Sequence, residues 1–172
     1  MNIKGEKIIL RAIEPADSTL LFELINDPET EYMLGGWSFP VSKQMQADWI
    51  SGLNNDTYTL RCIIESIDEK VAVGTVILSD IDYKNGNAEV QIKINGRGQR
   101  GKGYGYDAIN SIVKYAFSEL RLACVFARVS SYNEASLNLF TKCGFIKEGL
   151  LRKRLFKRGH FRDVVILSIL NE

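Results

Sequence analysis

Residues 96–105 read Gly-Arg-Gly-Gln-Arg-Gly-Lys-Gly-Tyr-Gly, and half of them are glycine. Glycine lets successive backbone N–H groups turn inward and leaves no side chain to hold a ligand away. The segment precedes a strongly amphipathic stretch, so a helix N-terminus adds partial positive charge beside it. Such a loop cradles a phosphate or pyrophosphate, and Arg100 and Lys102 would add charge where the anion lies. Two nucleotide-binding patterns fit poorly. A dinucleotide fold places G-x-G-x-x-G near its first strand, with an acidic residue about 20 positions on. Here the loop follows four expected strands, and the spacing is G-x-G-x-G. Gly96 to Lys102 does match G-x-x-x-x-G-K, but Gly103 stands where a P-loop needs the hydroxyl that holds Mg²⁺.

The segment Arg100-Gly101-Lys102-Gly103-Tyr104-Gly105 fits Q/R-x-x-G-x-G/A. Asn133-Glu134-Ala135-Ser136, Cys143-Gly144-Phe145, Glu148-Gly149 and Leu151-Arg152 follow it in order, and Leu10-Arg11 precedes an acidic helix start. By these landmarks, which cover nearly the whole chain, it resembles the GNAT superfamily of N-acetyltransferases. The similar branch contains the ribosomal-protein N-terminal and the spermidine/diamine acetyltransferases. The resemblance implies an α/β (α+β) fold over residues 1–172 as a single domain. In that fold a mixed, mostly antiparallel seven-stranded sheet carries about four helices on its two faces.

The resemblance also implies acetyl-CoA as co-substrate, with no metal. Its pyrophosphate would lie on the amides of Arg100, Gly101, Lys102, Gly103, Tyr104 and Gly105. The pantetheine arm would run along Ile92, Lys93 and Ile94, where that strand splays from the next. A neutral amine would attack the thioester directly, with a backbone N–H near Ile92 stabilising the oxyanion. Relatives often protonate the leaving thiolate with a tyrosine. Phe140 holds that position here, so it joins the cofactor wall. Ser136, one turn earlier, is the candidate acid, unless the thiolate leaves unaided or Ser136 is an ordinary polar helix residue. Asn133 is expected to cap its helix and to reach the pantetheine. Glu89, on the polar face of the cofactor strand, is the candidate base through a water, the alternative being a cross-strand ion pair.

Glu31, Tyr32 and Trp37, with Asp27 and Glu29 nearby, combine carboxylates and rings that could hold a cationic amine; a solvated acidic loop is the alternative. Arg152, Lys153, Arg154, Lys157, Arg158 and Arg162 could meet the CoA 3′-phosphate, an acidic partner or a nucleic acid, or form a solvated hairpin. The acceptor would be a small amine or polyamine, or a protein N-terminal amine. A non-catalytic acetyl-CoA sensor or scaffold is the alternative that Phe140 keeps open. Relatives are often dimers, so a homodimer is possible.

The elements that must position these residues follow from periodicity. Lys7–Ala12 reads as a strand, and a helix begins near Pro15 and ends at Asp27-Pro28. Ser42 caps a second helix to about Leu53. Tyr58–Glu65 and Val71–Ser79 read as strands. Ala88, Val90, Ile92 and Ile94 alternate with Glu89, Gln91 and Lys93, which makes a strand with one polar face. Ile109, Ile112, Val113, Ala116, Phe117 and Leu120 make a helix. A strand over Ala123–Val129, a helix from Asn133 to Gly144, and strands over Phe145–Lys147 and His160–Leu170 complete the order.

Composition limits the rest. The 172 residues suit one domain, and a net charge of +1 gives no global pull toward nucleic acid or an anionic membrane. No apolar run approaches a membrane span, and the charged N-terminus is unlike a signal peptide, so a cytoplasmic protein is expected. Three scattered cysteines make no disulfide framework, Cys124 and Cys143 reading as small core residues, and one histidine makes no metal cluster.

Overall fold

The alternation over residues 88–94 becomes an edge-to-edge partner of two different strands in the computed structural model. It describes residues 1–36, 39–54, 56–96 and 98–172. Among these, eight strands form one sheet in the order β1-β2-β3-β4-β5-β6-β8-β7. They are β1 (Ile3–Lys4), β2 (Ile8–Arg11), β3 (Leu60–Ser66), β4 (Ala72–Asp82), β5 (Asn87–Ile94), β6 (Cys124–Ser130), β7 (Ile146–Lys157) and β8 (His160–Leu170). All neighbours are antiparallel except β5 and β6. The helices are α1 (Ser18–Asn26), α2 (Pro28–Leu34), α3 (Lys43–Ser51), α4 (Tyr104–Ser118) and α5 (Glu134–Lys142).

The mixed, mostly antiparallel sheet is the expected one, with one strand and one helix more than the seven and four anticipated. The extra strand is the two-residue β1 at the sheet edge. The extra helix is α2. Asp27 is extended and so ends α1, yet its carboxylate then accepts the N–H of Thr30 at 2.8 Å, and Pro28 supplies a first helical residue. Stop and start share one dipeptide. β7 runs to Lys157, well past the expected Lys147.

The core lies between the sheet and α4. Ala108, Ile109, Ile112 and Ala116 of α4 are fully buried against Ile8, Leu10, Ile64, Val76, Leu78 and Val90. Truncating one such isoleucine to alanine would cost about 2–5 kcal/mol. Side chains alternate along β4, so Thr75 and Ile77 face the other side, where Leu21 and Leu24 of α1 and Met45 and Trp49 of α3 enclose an apolar hollow of about 440 Å³.

Polar staples fix the elements. Asp107, in the first turn of α4, accepts the N–H groups of Glu6, Lys7 and Ile8 at 3.2, 2.7 and 3.1 Å. Arg11 forks onto Asp17 with two bonds of 2.9 Å and reaches Glu65 at 2.5 Å. The Leu10-Arg11 landmark thus ties β2 and β3 to the turn that opens α1. Among the described residues no helix is long and apolar enough to cross a membrane.

Candidate active site

β5 and β6 pair in parallel only from Asn87↔Cys124 to Glu89↔Phe126. Beyond that point β5 stays with β4 as far as Ile94, while β6 stays with β8 as far as Ser130. The strands diverge, and among the described residues one edge of β5 from Val90 onward has no strand partner. A cleft of about 500 Å³ fills the gap. Its floor is Glu89–Lys93 and Arg128–Ser130. Asn133, Ser136 and Phe140 of α5 form one wall, the end of α2 at Met33–Gly36 another, and Leu151, Arg154 and Leu155 of β7 close it.

Sequence-predicted residues from two distant segments, Glu89, Ile92 and Lys93 on β5 and Asn133, Ser136 and Phe140 on α5, therefore share one cleft. Asn133 caps α5, its Oδ1 accepting the N–H of Ser136 at 3.1 Å, and its amide donates to Met33 O at 3.3 Å. Ser136 is half-buried. Phe140 is buried edge-on against Phe145, with ring centroids 5.0 Å apart.

Glu89 takes the ion-pair alternative. It is 3% exposed, and the Arg128 guanidinium donates to both its oxygens, from Nε at 3.0 Å and from Nη2. That hydrogen bond also holds the guanidinium above its ordinary range. Both carboxylate oxygens are thus engaged by Arg128, the cross-strand ion pair that is the alternative to a base acting through a water. Lys93 differs. It is half-buried, burial pushes its ammonium below the ordinary lysine value, and it makes no ion pair or hydrogen bond among the described residues.

The glycine-rich loop lies at the head of α4. Gly103 is the N-cap with φ +88°, a backbone conformation that L side chains rarely adopt. A Cβ on Gly105 would lie 3.2 Å from Leu139 of α5 and 3.8 Å from Ile92, so the loop and the cleft abut through these side chains. Lys102 Nζ donates to Glu69 at 2.5 Å and Tyr104 donates to the same carboxylate at 3.2 Å. The Lys102 bond leads in drawing Glu69 below the usual carboxylate range. Arg100 packs beside Gly96, and Ile94 packs partly against the core.

The expected acceptor residues sit elsewhere. Glu31 pairs with the buried Lys157 and lines a separate hollow beside Pro28 and Phe156. Tyr32 stacks on Tyr132 at 4.7 Å, with Arg158 over its ring at 3.8 Å. These contacts clamp α2 onto the β7–β8 hairpin and onto the β6–α5 connection, and neither side chain is a wall of the cleft. Trp37 lies outside the described residues. Arg128 is a wall that sequence reasoning missed. The segment between the first two expected helices and the last hairpin, where the acceptor pocket is expected from the sequence, do supply walls, through Met33–Gly36 and Arg154. Gly35-Gly36 was the available signal for the first. Gly35 ends α2 at φ +66°, and a Cβ there would come within 2.6 Å of Leu155. The thiols do not compete for chemistry: burial pushes Cys62 and Cys143 up to about 11, and neither lines the cleft.

Comparison with known proteins agrees with this geometry. Residues 7–146 match the family model described as an acetyltransferase (GNAT) domain. The uncharacterized N-acetyltransferase p20 of Bacillus licheniformis is 33% identical over 96% of this chain and 93% of its own length. The spermidine N(1)-acetyltransferase of Vibrio cholerae is 29% identical over 96% of this chain and 94% of its own. A crystal structure of the Vibrio cholerae spermidine N-acetyltransferase with CoA and spermine superposes with a TM-score of 0.88, at 28% identity over 96% of both chains. The chain belongs to the GNAT acetyltransferase family and is an N-acetyltransferase.

Proposed function

We propose that the chain transfers the acetyl group of acetyl-CoA to a primary amine in the cleft between β5 and β6. The observation that carries this reading is the divergence of those strands after Glu89, directly beside the glycine-rich N-terminus of α4. The loop from Arg100 to Gly105 would hold the pyrophosphate through its N–H groups and the helix dipole. Lys102 would then exchange Glu69 for phosphate. The free edge of β5 at Ile92–Ile94 would take the pantetheine as an added strand.

The amine nitrogen attacks the thioester carbonyl, its N–C bond forms and the C–S bond breaks. The nitrogen loses one proton and the thiolate gains one, giving an amide and CoA. A backbone N–H near Ile92 stabilises the oxyanion. Ser136, which lines the cleft, would donate the thiolate's proton, since Phe140 has none to give. Glu89, held by Arg128, orders the floor of the cleft and a water rather than serving as an unpaired base. Asn133 sets the angle of α5 and the end of α2 toward the cofactor. The relatives bear names of N-acetyltransferases, which favours turnover over sequestration of the cofactor.

The cleft volume suits a small amine or the first residue of a protein N-terminus. The test is the melting midpoint with acetyl-CoA, CoA and Mg-ATP, followed by thiol release with primary amines. A rise with both CoA species and none with ATP is expected. A rise with ATP alone overturns the assignment.

A further inference from the structure

The carboxylate in the cleft, and those of α2 beside the hairpin, are already committed to protein cations. Glu89 is gripped by Arg128, Glu31 by Lys157, and Glu29 by Arg158 at 3.2 Å. Asp80 lies close enough to Arg128 to act on it electrostatically. Glu89 is the only acidic residue among the described walls, against Lys93, Arg128 and Arg154. Once Glu89 and Arg128 are set against each other, two cations are left over. Lys93 stands on β5 beyond the divergence and also lines the apolar hollow under α1 and α3. Arg154 stands across the cleft on β7. Neither makes an ion pair or hydrogen bond among the described residues.

A third cation borders the same end. Arg162 is directly opposite Leu155 in the β7–β8 ladder, its guanidinium lies 5.7 Å from the Tyr132 ring centre, and its buried Nε finds no acceptor among the described residues. A desolvated cation and an orphaned donor are costly unless something anionic completes them. A polyamine would bring further positive charge to this surface.

Resting on the acetyl-transfer reading, we propose that the acceptor carries an anionic group beside its amine, a carboxylate or a phosphate-type group, which Lys93 and Arg154 hold from opposite sides of the cleft. The amine then points to the thioester while the anion takes the place of the missing partner. The end of α2 leaves the wall facing them uncharged, because Met33–Gly36 carry no ionisable side chain.

The test compares four primary amines of matched length with acetyl-CoA: 4-aminobutanoate, 3-aminopropylphosphonate, n-butylamine and 1,4-diaminobutane. One of the two anionic amines is expected to exceed the diamine in kcat/KM by about tenfold or more, as charge-assisted hydrogen bonds warrant. Which one leads identifies the anion. Lys93→Met and Arg154→Gln should each erase most of that preference through KM, and Lys93→Arg should restore it. Melting midpoints of the variants check folding.

A leading diamine, or a preference that survives both substitutions, overturns the proposal while leaving acetyl transfer intact. Should none of the four turn over, the midpoint of the CoA complex decides. A larger rise with an anionic amine than with the diamine supports the proposal, and an equal or smaller one overturns it. No rise with acetyl-CoA itself removes the transfer reading, a distinct failure, and this proposal with it.

Discussion

Arg128 of β6 grips both oxygens of Glu89 on β5 at the last paired position before the two strands part, with Nε at 3.0 Å. The pair sits on the floor of the cleft, its carboxylate buried and its guanidinium half exposed. Removing one partner strands the other. Glu89→Gln and Arg128→Met should each lower stability by about 1–3 kcal/mol in chemical denaturation, and the double variant should cost less than their sum. Glu89→Gln should change kcat less than about tenfold. A loss of several hundredfold would restore Glu89 to the role of base.

Ser136→Ala should lower kcat by about tenfold to a hundredfold, with little change in KM for acetyl-CoA, if its hydroxyl protonates the thiolate. The deficit should shrink with an acyl donor whose thiol is more acidic. Steady-state thiol release measures both. Unchanged kcat would mean that the thiolate departs unaided.

Gly103 caps α4 at φ +88°. Gly103→Ala should cost about 1–2 kcal/mol from backbone strain alone. A Cβ there would also come within 3.3 Å of Lys7 Nζ, a flexible tip that can move. Because the same N–H groups are expected to face the pyrophosphate, CoA affinity should fall beside the melting midpoint. Isothermal titration with CoA and a denaturation curve separate the two effects.

Asp17 gives the fold an acid-sensitive joint. Burial would push its carboxyl up, but the Arg11 fork and the Glu14 N–H outweigh it and hold the group below 3.8. The folded value lies under the unfolded one, so this stabilisation is complete above 3.8 and drains away as pH falls below it. Asp17→Asn should destabilise the protein by about 1–3 kcal/mol near neutrality and flatten the stability curve below pH 3.8. Denaturation midpoints from pH 6 to the acid limb check the slope.

What the chain wrote locally was legible in its sequence. The burial of Ile109, Ile112, Val113 and Ala116 follows from helical spacing within two turns. The polar and apolar faces of β5 follow from strict alternation, and the positive φ of Gly101 and Gly103 from residue type. Asn133 as the cap of α5 follows from its own side chain. Each is decided by neighbours a few positions away.

Tertiary structure decided the rest. Asp27-Pro28 reads as an end; it is also a beginning through the Asp27 cap, and the docking of α2 decides where the new helix lies. That docking rests on Tyr132 reaching the carbonyl of Tyr32 at 2.5 Å, across 100 residues. It carries Glu31 and Tyr32 to the β7–β8 hairpin and brings Met33–Gly36 to the cleft instead. Glu89 meets Arg128 from 39 residues away because the parallel pair sets Glu89 beside Phe126, two residues short of Arg128 on the same strand. The same pairing, by stopping there, opens the cleft that Lys93 and Arg154 both line, neither with an ion pair among the described residues. Charge and periodicity mark which residues can act. Which of them are neutralised and which left open depends on strand order and register, and those are set by long-range burial of apolar faces rather than by any local run of residues.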